Sequence, residues 1–179
     1  MKVVITGHVS GIGKAIFETF NNNGSQCVGY DIQNGKDVTD TRVVEELLLE
    51  CQSSDVFINN ALPNQVYLLS KVHDMWLGKN KVIVNLSSAV TYLYNENNHP
   101  AEFAGYFQHK RMLDNLCKDL TINRFPYIMN VRPSWVDTQL ASQIEGFKIN
   151  PNELAELIYF HVANKEKYQV IDIVIRGVN

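Results

Sequence analysis

Apolar positions along this chain fall into short unbroken runs that alternate with stretches of helical spacing. Residues 2–5 form the first run and predict a buried strand. Ile12, Ala15, Ile16, Thr19 and Phe20 then recur every three or four positions, the spacing of an amphipathic helix. A second strand is predicted over 26–30, ending at Asp31. Only residues 32–36 separate Asp31 from Asp37-Val38-Thr39-Asp40, too few for the helix that a parallel crossover carries, so this connection reads as cut to a turn. Thr39 or Asp40 is placed to cap a helix whose apolar side is Val43, Val44, Leu47 and Leu48, and that helix leads to a fourth strand over 55–59. The alternation then continues. A helix over 63–78 (Val66, Leu69, Val72, Trp76) precedes a strand over 81–86, and a polar, aromatic loop over 92–100 precedes the longest helix, 102–121. That helix is read with Phe103, Met112, Leu113, Leu116, Cys117 and Leu120 inward. A strand over 127–131, a loop over 133–150, a helix over 154–163 introduced by Asn150-Pro151-Asn152-Glu153, and a strand over 170–175 complete the chain. Strand and helix units repeated in this way predict an α/β fold: a Rossmann-type, doubly wound parallel sheet in a three-layer α/β/α arrangement. At 179 residues, 45% of them hydrophobic, the chain has material for one sizeable core, and a single domain over 1–179 is expected.

The corner between the first strand and the first helix is Thr6-Gly7-His8-Val9-Ser10-Gly11-Ile12-Gly13. Gly7 is free to take backbone angles that other residues avoid, Gly11 lets the chain approach a pyrophosphate, and Gly13 lets helix pack closely on strand. Unbonded N–H groups and the positive dipole end at the start of the helix would face that anion. Asp31 follows at the end of the second strand, about twenty residues on, where a dinucleotide site places the acid that binds the adenosine ribose. Its carboxylate would repel a 2′-phosphate, and neither Ser10 nor Ile32 offers a cation, so the expected cofactor is NAD rather than NADP. The alternative reading of each is structural: a bare glycine turn, and an aspartate opening a turn with Asn34 and Gly35 just beyond.

Charge narrows the partners. A net charge of −3 leaves no basic footprint for nucleic acid or an anionic membrane surface. No apolar run approaches membrane-spanning length, and the chain enters its first strand directly, so a cytoplasmic protein is expected. Cys27, Cys51 and Cys117 are odd in number, far apart and without ligand spacing, which reads as reduced packing residues and no metal site.

Ser87 and Ser88 end a predicted strand and should lie on the same sheet edge as the glycine turn, while Tyr106 and Lys110 sit one helical turn apart on the next helix. With these in place, the chain resembles the short-chain dehydrogenase/reductase family through "TGHVSGIG", Asp31, "DVTD", "NNA", "VIVNLSS", "YFQHK" and "RPSWVDT", in matching order along most of its length. The resemblance implies that Ser88 hydrogen-bonds the substrate oxygen, Tyr106 is the general acid/base and Lys110 holds the nicotinamide ribose. It implies further that Asn59 steadies the central sheet with Asn60 and Ala61 beside the cofactor. Asp37 and Val38 would lie beside the adenine ring, and Pro133, Val136 and Thr138 would flank the nicotinamide carboxamide. A free tyrosine has a pKa of about 10, and a cation one turn away together with a nicotinium charge would lower it. The implied activity is hydride transfer between NAD and a small carbonyl or alcohol. A homodimer would associate through the 102–121 helix, with Phe107 and Met112 as its large apolar groups.

Several positions depart from the family pattern. Leu62 and Ser134 stand where glycines are usual, and Phe107, Gln108 and His109 replace small residues between Tyr106 and Lys110. The spacing of 18 from Ser88 to Tyr106 is long, so the loop carrying Tyr92, Tyr94 and His99 is expected to contribute to the substrate pocket. The segment between Ala61 and Val82 is short. The family's asparagine, which completes a proton relay through water, has its nearest candidate in Asn64, a residue equally placed to cap a helix. Retention of Ser88, Tyr106 and Lys110 together favours an enzyme; the short segment and Ser134 favour the alternative, a degenerate relative that binds a dinucleotide without turnover.

Overall fold

Both faces of the central sheet are covered by helices, which is why its inner strands read as continuous apolar runs rather than as alternating ones. The computed structural model describes residues 1–95, 98 and 101–178. Six strands, β1 (Lys2–Thr6), β2 (Gln26–Tyr30), β3 (Val56–Asn59), β4 (Val82–Leu86), β5 (Tyr127–Pro133) and β6 (Asp172–Ile175), form one sheet in the order β2-β1-β3-β4-β5-β6, every neighbouring pair parallel. The helices are α1 (Gly11–Asn22), α2 (Thr41–Gln52), α3 (Gln65–Trp76), α4 (Val90–Leu93), α5 (Ala104–Leu120) and α6 (Pro151–Ala163). Side chains alternate along each strand. Val3, Ile5, Val56, Ile58, Val82, Val84, Met129 and Val131 pack with Ile16 and Phe20 of α1 and Ile158 and Val162 of α6. Val4, Phe57, Ile83 and Ile128 pack on the other face with Leu47 of α2, Leu69 and Trp76 of α3, and Leu113 of α5. This is the Rossmann-type doubly wound sheet, with its switch point between β1 and β3, where the order reverses and ligands bind beyond the strand ends.

The expected count of strands is one too high: no strand lies between β2 and α2, so 55–59 contributes the third strand and not the fourth. The chain leaves β2 through a 3₁₀ turn (Ile32–Asn34) and goes straight to α2. Asp37 Oδ1 accepts from both the N–H and the hydroxyl of Thr39 at 2.9 Å, which holds the segment as a turn, and Val38 is buried against the α2/α3 core. With the crossover helix gone, nothing carries the chain back to start another parallel strand. Of the two capping candidates, Asp40 is the N-cap of α2, accepting from the Arg42 N–H at 2.8 Å.

The longest helix starts two residues late, after a 3₁₀ turn at Ala101–Phe103, and its faces differ from the expected ones. Met112 is 59% exposed rather than inward, whereas Phe107, expected at an interface between chains, is buried within this one at 1%. At the far end, Asn150 caps α6 by accepting from the Asn152 N–H, with Pro151 at its first position. Among the described residues no helix is long and apolar enough to cross a membrane, and no cluster of ligating side chains is placed to hold a metal. The three cysteines are free thiols, and burial raises the pKa of each.

Candidate active site

The glycine corner is built as its spacing implies. Gly7 and Gly11 have φ of +70° and +55°, in the left-handed region, and a Cβ at Gly13 would lie 1.9 Å from the Gly7 carbonyl oxygen, so α1 meets β1 at a distance only glycine allows. Ser10, the N-cap of α1, makes no side-chain capping bond, and the first turn carries no acidic residue. Its leading amides therefore remain unspent and its positive end uncompensated, which fits the pyrophosphate of a dinucleotide. Thr6 fastens the corner to the end of β3: its hydroxyl accepts from the N–H groups of Asn60 and Ala61, both at 2.9 Å, while Asn60 Nδ2 donates to the carbonyls of Thr6 and Gly7. Across the crevice, the Thr138 methyl comes within 3.4 Å of where a Gly11 side chain would begin. His8 occupies the space that a side chain on Gly29 of β2 would fill and packs on the Phe17 ring at 5.0 Å; both neighbours escaped the sequence reading.

Asp31 opens a turn, as its structural reading has it, and also reaches the glycine corner. One oxygen accepts from the Gln33 N–H at 2.9 Å and opens the 3₁₀ turn; the other accepts from the Val9 N–H of the glycine corner at 3.2 Å. A carboxylate has about four lone-pair sites, so Asp31 keeps acceptor capacity for a further donor. The nearby cation Lys36 is taken up by Glu46 at 2.7 Å and lies over the Tyr30 ring. Val38 turns inward, and its carbonyl accepts from Asn64 Nδ2 at 2.8 Å. Asn64 therefore neither caps α3 with its side chain nor reaches the tyrosine and lysine.

Ser88, Tyr106 and Lys110 are brought together on the same sheet edge, two strands from this corner. Ser88 lies beside Tyr106, its Oγ accepting from the Val90 N–H at 3.3 Å, and the Lys110 ammonium lies 5.5 Å from the centre of the Tyr106 ring. The tyrosine departs from expectation: desolvation of the phenol raises its pKa, with Asp114 adding to the rise and Ser88 opposing it. Lys110 is 3% exposed and donates to Gln65 Oε1 at 2.7 Å and to the Leu86 carbonyl at 2.8 Å. Burial pushes it down to about 7, against the pull of Asp114 and Cys117. Burial, and then the Lys110 charge, lower the pKa of His109, which lies between them. Phe103, three residues before Tyr106, faces Trp135 with ring centroids 6.4 Å apart, an aromatic pair that the motif reading passed over. Tyr92 and Tyr94 are exposed, and His99 lies outside the described residues.

Beneath the crevice runs a row of buried amides. Asn59, Asn85, Asn130 and Asp172 are in register across β3, β4, β5 and β6. Asn59 Nδ2 donates to Asn85 Oδ1 at 2.9 Å and Asn85 Nδ2 to Asn130 Oδ1 at 3.0 Å, while Asn130 Nδ2 donates to Asp114 and Asp172. Asp114 also accepts from the Thr91 hydroxyl, and Arg132 pairs with Asp172. On the nicotinamide side of the expected site, Pro133 ends β5 and is buried, and Val136 bridges to Ile149. Ser134 sits without positive φ, its hydroxyl accepting from the Gly177 N–H at 3.3 Å, so the missing glycine leaves no backbone strain.

No protein-family model and no curated protein matches the chain. Solved structures do. The chain is similar to a 3-alpha-hydroxysteroid dehydrogenase from Pseudomonas sp. B-0831 complexed with NADH, at 19% identity and a TM-score of 0.77, over 99% of this chain and 96% of that one. It is similar to a short-chain glucose/ribitol dehydrogenase from Brucella melitensis (18%, TM-score 0.81, 98% and 95%). It is also similar to an alcohol dehydrogenase from the archaeon Thermococcus sibiricus complexed with 5-hydroxy-NADP (20%, TM-score 0.76, 99% and 96%). With the parallel sheet, the switch-point crevice and these likenesses together, the chain has the short-chain dehydrogenase/reductase fold.

Proposed function

We propose that the protein is an NAD(H)-dependent oxidoreductase of the short-chain dehydrogenase/reductase family, acting on a small carbonyl or alcohol. The observation that carries this reading is the convergence of Ser88, Tyr106 and Lys110 on the sheet edge that carries the glycine corner, with the serine beside the tyrosine and an ammonium 5.5 Å from its ring centre. When bound, the nicotinamide supplies or accepts the hydride. Gly7 to Gly13 and Asp31 would hold the pyrophosphate and adenosine ribose; Asn60, Ala61, Pro133, Val136 and Thr138 line the way to the nicotinamide end. On this reading Val38, whose side chain is buried, contributes as backbone, while Asp37, one oxygen of which holds Thr39, keeps the other toward the adenine. Ser88 and Tyr106 orient the substrate oxygen, and Tyr106 passes it a proton. A phenol whose pKa is raised stays protonated at neutral pH, so the chain presents Tyr106 as a proton donor, the form that carbonyl reduction needs. Lys110 would bind the nicotinamide ribose.

The cofactor choice rests on Asp31 and is tested by titrating the purified protein with NADH and NADPH. NADH is expected to bind more tightly, and Asp31→Ala to narrow the gap; tighter NADPH binding would overturn the assignment. Binding without turnover remains the second reading, favoured by the capture of two of the three Lys110 donors. A panel of small carbonyls and alcohols, followed by NADH absorbance, separates the two.

A further inference from the structure

Gln65, the first residue of α3, is fully buried, although its segment carries no motif that pointed to it. Its side-chain amide is saturated: Nε2 donates to the Asn59 carbonyl at 2.8 Å and to the Leu86 carbonyl at 2.9 Å, and Oε1 accepts from Lys110 Nζ at 2.7 Å. The orientation of this amide is dictated by its surroundings. Flipped, it would set its oxygen against two carbonyl oxygens and its NH₂ against an ammonium, losing all three bonds. Its backbone is fixed as well, because the Gln65 carbonyl accepts from Asn59 Nδ2, the first member of the amide row across the sheet. An ammonium has three donors. Gln65 and the Leu86 carbonyl take two, which leaves one, with the Tyr106 ring centre 5.5 Å away.

We infer that Gln65 is a positioning residue for the proposed reaction: its amide oxygen holds Lys110 directly, with no water between them, and so decides where the remaining N–H of the lysine points. This rests on the oxidoreductase reading for its purpose but not for its geometry. The groups facing Lys110 are the neutral Gln65 amide from α3, the Leu86 carbonyl from β4, and Tyr106, Asp114 and Cys117 of its own helix. Gln65 is thus the partner from another element whose removal changes the lysine without changing a charge. An acceptor oxygen against the ammonium favours the protonated form, so removing it lowers the pH at which Lys110 titrates.

The test uses the full chain labelled with ¹³C,¹⁵N-lysine, the Lys110 signal being identified by its loss in Lys110→Met. Gln65→Met is expected to move the Lys110 titration midpoint down by about one pH unit and to weaken NADH binding about tenfold. Gln65→Asn, which keeps the amide but withdraws its oxygen by one methylene, is expected to fall between the two and provides the measurement if the methionine variant does not fold. A folded variant in which Lys110 titrates as in the wild type would overturn the inference. If the wild-type protein binds no NADH while the lysine midpoint still follows residue 65, the oxidoreductase reading fails and the contact stands.

Discussion

Tyr106 shows how far a side-chain pair on one helix face can be read, and where the reading stops. Its spacing from Lys110 places both on one side of α5, but the proton each carries is set by what surrounds it. The lysine is buried under two acceptors and pushed down to about 7, and the phenol is desolvated and pushed up. The two shifts share a cause, since burial disfavours whichever form is charged. Tyr106→Phe removes the proton donor while leaving the ring that packs beside Lys110. Turnover on a confirmed substrate should then fall by about 10² to 10⁴, with NADH affinity close to that of the wild type. Steady-state kinetics paired with fluorescence titration checks both halves; wild-type turnover in this variant would remove Tyr106 from the mechanism. The preceding Ser88 is legible as a strand end, whereas Gln65 is not, because a single glutamine at a helix start has no pattern until α3 is docked against β3 and β4.

At the scale of elements, the strand-to-helix corner is the part that tolerates least change, and Gly13 within it differs in kind from Gly29 of the adjacent β2. A methyl on Gly13 meets backbone, the Gly7 carbonyl, and forces α1 away from β1; a methyl on Gly29 meets the His8 ring, a side chain able to swing aside. Gly13→Ala is therefore expected to cost about 1–3 kcal/mol of stability by overpacking and to abolish NADH binding. Gly29→Ala should leave the thermal midpoint nearly unchanged and weaken NADH binding only as far as His8 is displaced. Thermal unfolding and NADH titration of the two variants measure the difference; equal losses would mean that His8 is as fixed as the backbone. The missing strand between β2 and α2 belongs to this scale too. The five-residue gap correctly signalled a lost crossover helix, but a crossover and its strand are lost together, because a parallel strand is reached only through the connection that carries the chain back.

For the whole molecule, the proposed homodimer through α5 now has to be carried by Met112 and its outward neighbours, Phe107 being spent on the core. At micromolar concentration, light scattering should give about twice the 20.4 kDa of one chain, and Met112→Glu should shift the protein toward the monomer by placing a charge where an apolar contact is required. A monomeric wild type would remove the interface.

Local chemistry determined a good deal here by itself. Apolar runs with period-3.6 segments between them dictated a parallel sheet covered on both faces, and glycine spacing dictated a tight corner at its switch point. A helical turn between Tyr106 and Lys110 placed them on one face. Each of these follows from backbone geometry over a few residues, which is why it is visible in the chain. What the tertiary structure decided are the matters that depend on which distant residues meet. Asn59, Asn85 and Asn130 fall into one register 26 and 45 residues apart; Phe107 turns in and Met112 out; Asn64 is taken by Val38; and Gln65 reaches the lysine. Burial and hydrogen-bond partnership are properties of the packed whole, and the protonation of Tyr106 and Lys110 inherits them.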